Sequence, residues 1–196
     1  SEYTAIRILK GLSFENTLAM IQDAHGFIWF GTLDGLNRYD GNEMRVYKHK
    51  PFDTTSLVQD FVNVIAKERR RKIWMGTAEG GLCIYDRQFD NFKQITKDEQ
   101  KTKSIRDNRI RAITISEDGL VYVGHALGVD ILDTNGLLVE SIPLKTLEIS
   151  LKPVHAIAIG GNNVLIGDES GLQIYFPATR TVKRISTPYS KAGAAD

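Results

Sequence analysis

Four polar side chains, Asp34, Glu79, His125 and Glu169, recur just past a glycine that closes an apolar stretch. Arg106 and Asn108, with Asp53, Asp60 and Asp107 near them in kind, stand in the segments that join one group of apolar stretches to the next. Carboxylates, an amide, an imidazole and a guanidinium that converge can read sugar hydroxyls, because each hydroxyl both donates and accepts. They do not compose a catalytic set, since the chain has no Gly-x-Ser-x-Gly, phosphate loop or His-Glu-x-x-His. The four histidines, His25, His49, His125 and His155, lack short metal-ligand spacing, so neither a metal nor a cofactor is expected. Cys83, the one cysteine, lies in the apolar run LCIY and reads as a buried structural thiol rather than a nucleophile.

The elements that position these residues repeat. The copies are IWFGTLDGLNRYD from Ile28, IWMGTAEGGLCIYD from Ile73, VYVGHALGVDILD from Val121 and VLIGDESGLQIYF from Val164. Their first glycines, Gly31, Gly76, Gly124 and Gly167, are 45, 48 and 43 residues apart. A period in that range signals a repeat architecture. Around each glycine the apolar residues alternate with a strand period, and four short segments recur per copy. The first segments are LAMIQ at Leu18, VNVIAK at Val62, IRAITI at Ile110 and VHAIAI at Val154.

One four-stranded antiparallel sheet per repeat cannot bury both faces alone, so the copies must stack, and a four-stranded unit of this period is a β-propeller blade. The fold class is therefore all-β, with four blades at about 11–50, 51–97, 98–142 and 143–187 inside a partial propeller over 1–189. TAIRILK at Thr4 to Lys10 resembles the fourth segment of a repeat and is expected to be an extra outer strand belonging to a further blade. Open blade faces would then favour self-association or completion by the remaining blades of a parent receptor. The small polar tail 190–196 is expected to fray. First strands are expected to be innermost and the most thoroughly buried.

The recurrent residues have structural work to do. Gly31, Gly76, Gly124 and Gly167 are expected where backbones crowd, and Gly35, Gly81, Gly128 and Gly171 at turn positions with positive φ. Trp29, Trp74 and Tyr122, with Leu165 at the fourth equivalent position, are expected to wedge between adjacent blades.

The stretches LSFENTLAMIQDAHGFIWFGTLDGLNRYDG and SLVQDFVNVIAKERRRKIWMGTAEGGLCIYD resemble the two-component regulator propeller repeat. The shared pattern is a polar loop, an apolar strand, an Asp-x-x-Gly turn, an aromatic before Gly-Thr, and Gly-Leu before Tyr-Asp. The third copy departs at His125, Val129 and Leu132, and the fourth at Leu165 and Phe176. The resemblance implies the N-terminal part of the periplasmic sensor region of a bacterial hybrid histidine kinase, anchored in the inner membrane, with the kinase outside this chain. It also implies a ligand-sensing module for oligosaccharides. A protein-interaction propeller is the alternative, and a propeller lyase or glycosidase a third reading. The turn DAHGFIW at Asp23 loosely resembles the aspartate box of sialidase-like propellers, which is itself a structural hairpin.

Composition fits a globular module: 42% of residues are hydrophobic, 25% are charged and the formal net charge is +1. Such a balance supplies no global field for nucleic acid, and no apolar run is long enough for a membrane helix. The run Lys67 to Lys72 is basic but contains Glu68 and reads as a solvated turn that protects a sheet edge.

Overall fold

The computed structural model describes residues 11–68, 72–143, 153–169 and 171–185. The strand expected at Thr4 to Lys10 and the tail 190–196 lie outside the described residues. Sixteen strands are described, and they form four separate four-stranded antiparallel sheets. The first sheet holds β1 (Thr17–Gln22), β2 (Ile28–Thr32), β3 (Gly35–Tyr39) and β4 (Met44–Tyr47). The second holds β5 (Val62–Lys67), β6 (Ile73–Thr77), β7 (Leu82–Asp86) and β8 (Asn91–Ile95). The third comprises β9 (Ala112–Ile115), β10 (Val121–His125), β11 (Gly128–Leu132) and β12 (Leu138–Pro143). The fourth comprises β13 (Val154–Gly160), β14 (Asn163–Asp168), β15 (Gly171–Phe176) and β16 (Thr181–Ile185). Every sheet is a meander in chain order, the expected blade.

The chain divides into two compact units, one ending at Ile95 and the other beginning at Thr96, each with two sheets. In the first unit β1 and β2 lie against β5, and in the second β9 and β10 lie against β13. The first core joins Trp29, Leu36, Tyr47, Ile73 and Tyr85, and the second joins Tyr122, Ile131, Ile142, Ile166 and Tyr175.

Burial corrects one expectation. The first strands are not the most buried: Met20 in β1 is 64% exposed, and most of β1 and β13 is open. Every residue of β6, β10 and β11 is buried instead. The first strand hydrogen-bonds on one edge only, whereas the second and third have a strand on either side and carry the large side chains that fill the seam between sheets. Register irregularities recur where β1, β5 and β13 begin, between Thr17 and Ala19, Val62 and Val64, and Val154 and Ala156.

The repeated glycines differ in what surrounds them. A Cβ on Gly31 would stand 2.6 Å from the Val62 carbonyl oxygen, and one on Gly124 would stand 2.6 Å from Val154 Cγ1. Close approach of the next sheet explains both. Gly35, Gly81, Gly128 and Gly171 have φ of +121°, +104°, +126° and +121°, values that side chains with a Cβ rarely adopt.

Candidate functional site

Strand register exposes a position in β3, β7, β11 and β15 that composition hides. Asn37 pairs across from Phe30, Cys83 from Met75, Asp130 from Val123 and Gln173 from Ile166, so the four are equivalent. All four are buried although none is a hydrocarbon. In three sheets the chain entering the first strand uses that side chain as an acceptor. Ser13 N donates to Asn37 Oδ1 at 2.8 Å, Val58 N to Cys83 Sγ at 3.2 Å and Arg106 N to Asp130 Oδ2 at 2.8 Å. A buried amide without an acceptor would cost about 1–3 kcal/mol, so this contact pins the connection between sheets. Burial raises the Cys83 thiol pKa to about 12, which agrees with a structural rather than a nucleophilic role.

The end of the second strand supplies the other half of the arrangement. Thr32, Thr77 and His125 are all fully buried. Each side chain accepts an N–H of its own turn: Asp34 N to Thr32 Oγ1, Gly80 N to Thr77 Oγ1 and Leu127 N to His125 Nδ1. In the third sheet His125 and Asp130 meet, with Nε2 and Oδ2 3.0 Å apart and both side chains at 0% exposure. Arg106 Nε donates to Asp130 Oδ1 at 2.6 Å and Ser141 Oγ to the same oxygen at 2.8 Å. Burial opposes ionisation of Asp130, yet His125, the Arg106 amide and the Arg106 guanidinium together hold its carboxyl down at about 2.

This cluster corrects the expectation for His125. A side chain with no exposed surface does not meet a ligand, and here the imidazole closes a turn and faces Asp130. Arg106 is likewise committed to Asp130 and to the carbonyls of Val129 and Ile142. Asn108 Oδ1 accepts Lys97 N at 2.6 Å, as Asp60 Oδ1 accepts His49 N at 2.6 Å, so both fasten the loop between sheets. Glu169 faces His155 at 3.8 Å, and both are about half exposed. Residue type carried no signal for Asp130, because the four equivalent residues share only the ability to accept a hydrogen bond.

Asp34 and Glu79 keep surface positions. Asp34 pairs with Lys48. Glu79 is exposed, beside a shallow groove of about 560 Å³ lined by His49, Gln59, Asp60, Phe61 and Gly80. Gln59 Oε1 accepts the amides of Glu79 and Gly80 at 2.9 and 3.2 Å, which leaves its NH2 as a donor at the groove. His49 Nδ1 engages Leu57 O at 2.8 Å, and Phe61 is 36% exposed. A carboxylate, an amide donor and the exposed aromatic Phe61 line one rim, a combination suited to a polyhydroxylated ligand. Among the described residues no three His, Cys, Asp or Glu side chains group as a metal site.

Known proteins share this architecture. The chain superposes on the extracellular domain of a hybrid two-component system of B. thetaiotaomicron, BT3049, with a TM-score of 0.81 and 24% identity. The match covers 94% of this chain and 26% of that one. A second extracellular domain from B. thetaiotaomicron, that of the hybrid two-component system BT4673, matches with a TM-score of 0.71 and 19% identity over 86% of this chain and 25% of its own. The chain has the β-propeller fold of these extracellular domains. It is also similar to histidine kinase P4 of Formosa agariphila, 26% identical over 138 residues, which are 69% of this chain. It spans only 10% of that relative's length. No protein-family model matches the chain.

Proposed function

We propose that the chain is part of the ligand-sensing region of a bacterial two-component receptor, outside the cytoplasm, and that its ligand is an oligosaccharide. The observation that carries the sensor reading is the shared fold with extracellular domains of two-component systems, together with the similarity to a histidine kinase. The groove beside Glu79, Gln59 and Phe61 supports a sugar as the ligand, since it offers acceptor, donor and aromatic surface side by side. Its walls are held by hydrogen bonds that exist without ligand, so little ordering is needed on binding. Signal transfer would require that the ligand bind one arrangement of the receptor better than another.

Calorimetric titration of an oligosaccharide panel into a receptor ectodomain that carries this chain tests the reading. Heat of binding to one glycan class, abolished by Gln59→Ala with Phe61→Ala, is the expected result. Binding of a glycan that both substitutions leave unaltered would remove the groove from the proposal, and capture of a protein ligand there would replace a sensor with an interaction scaffold.

A further inference from the structure

The two units contain the same seam, and one of them is plugged. In the first, Asp23 follows β1, Arg87 follows β7 and Lys67 ends β5. Arg87 Nη2 donates to Asp23 Oδ2 at 2.5 Å, its guanidinium lies 5.5 Å from the Phe27 ring centre, and Lys67 Nζ donates to Gln22 O at 2.7 Å. The cavity left there is about 210 Å³. Register gives the counterparts in the second unit. Gln22 pairs with Ile28 as Ile115 does with Val121, so Ser116 stands for Asp23. Tyr85 pairs with Ile73 as Tyr175 does with Val164, so Pro177 stands for Arg87. Ile159 stands for Lys67, and Leu120 for Phe27.

Both cations that close the first seam are thus absent from the second, and the corresponding cavity is about 760 Å³. Its floor is apolar, with Tyr122, Ile159 and Val164. Its rim has gained charge of one sign, because Glu117 and Asp118 occupy the places of Ala24 and His25. Tyr122 is 5% exposed, and its hydroxyl makes no hydrogen bond among the described residues. The ring is buried but the hydroxyl oxygen is not enclosed, so it is open to an occupant of the cavity it lines.

We propose that the seam between the third and fourth sheets binds a cationic group on an apolar stem, a guanidinium of the arginine type, in the place that Arg87 fills in the first unit. The stem would cover Ile159 and Val164, the planar cation would lie near the Tyr122 ring, and Glu117 and Asp118 would neutralise it. This site lies by the turns after β9 and β13, at the opposite strand ends from Glu169 and His125.

The test is a backbone NMR titration of the chain with N-propylguanidinium, with uncharged N-propylurea as the matched control. Shifts confined to the amides of Ser116, Gly161, Asn162 and Asn163 with the guanidinium, and absent with the urea, are expected. Glu117→Gln, on an exposed turn, should weaken binding about fivefold, the worth of one solvent-screened charge pair. The double substitution S116D with P177R, which rebuilds the plug, should abolish the shifts. L-arginine amide and a Gly-Arg-Gly peptide as further probes separate a free small molecule from a side chain on a partner. Equal shifts with the urea, or a Glu117→Gln affinity equal to that of the unsubstituted chain, would overturn the proposal.

Discussion

Arg87, on the turn after β7, donates to the carboxylate of Asp23, on the turn after β1, across a seam between two sheets whose partners are 64 residues apart in sequence. Asp23 is the junction of that seam. Its Oδ1 accepts the amides of His25 and Phe27 at 2.8 and 3.1 Å, and its Oδ2 accepts the Trp29 indole N–H at 3.0 Å as well as Arg87. One side chain therefore shapes the hairpin, anchors the buried tryptophan and ties the second sheet to the first.

Asp23→Ala is expected to destabilise the chain by about 3 kcal/mol, because it strands the Trp29 N–H and leaves Arg87 unpaired in a place that is mostly shielded from water. Urea unfolding followed by tryptophan fluorescence measures it. Burial raises the Asp23 pKa, but Trp29, the His25 amide, Arg87 and the Phe27 amide together outweigh that and lower it below 3.8. A carboxyl depressed in the folded state stabilises above its unfolded pKa, and this contribution should fade as pH falls below about 4.

Asp130 gives a second acid-sensitive point. Its folded pKa of about 2, against 3.8 for an ordinary aspartate, corresponds to about 2 kcal/mol of stability, complete above about pH 4 and lost as pH falls towards 2. The urea midpoint of the unsubstituted chain should drop over that window. Asp130→Asn should remove this share of the drop, and at neutral pH it should be less stable by about 3–5 kcal/mol, since it leaves the Arg106 guanidinium without its anion. A midpoint for Asp130→Asn with the same acid slope would show that other carboxylates govern the window.

The sheets were legible in the sequence because glycine, aromatic and β-branched residues must recur wherever the backbone turns or the strands pack. Gly35, Gly128 and Gly171 announce their turns by type alone, and the structure gives all three a φ near +120°. The buried acceptor position was not legible. Asn37, Cys83, Asp130 and Gln173 each stand two residues after the second repeated glycine, but they share no side-chain type that a pattern would match, and only the fold shows that the position is buried and, in three sheets, accepts an amide of the entering chain. His125 was misleading for a related reason. It stands where Thr32 and Thr77 stand, and only the fold shows that an imidazole nitrogen can accept the turn amide as a threonine hydroxyl does. The contrast between the two seams was equally hidden, since the repeats set Arg87 against Pro177 but only the fold shows that Arg87 reaches across to Asp23 and that a cavity stands at the corresponding place in the second unit.

Cys83 should be chemically silent in the folded chain. It has no exposed surface, its thiol pKa is pushed up to about 12 by burial, and its sulfur accepts the Val58 amide. A thiol-specific alkylating reagent at neutral pH should label it only at denaturant concentrations that unfold the second sheet, so labelling reports on unfolding. Cys83→Ala should lower stability by about 1–3 kcal/mol by leaving the Val58 N–H without an acceptor. Rapid labelling in native buffer would contradict the burial.

The first glycine of each repeat offers a graded test, because one substitution meets three different surroundings. At Gly31 a new Cβ would meet the Val62 carbonyl oxygen at 2.6 Å, and backbone cannot move aside without displacing β5. At Gly124 the contact is also 2.6 Å, but its nearest atom is Val154 Cγ1, part of a side chain that can shift a little. At Gly167 the nearest atom is Ala156 Cβ at 3.7 Å, an ordinary contact. Overpacking a tight site costs about 1–3 kcal/mol, while glycine to alanine at an unstrained site stabilises by about 0.4–1 kcal/mol by restricting the unfolded chain. Gly31→Ala should therefore be the most destabilised, Gly124→Ala intermediate and Gly167→Ala neutral or slightly stabilised, as read from urea midpoints. An equal loss at all three would mean that these glycines are needed for their own backbone conformation rather than for the approach of the neighbouring sheet.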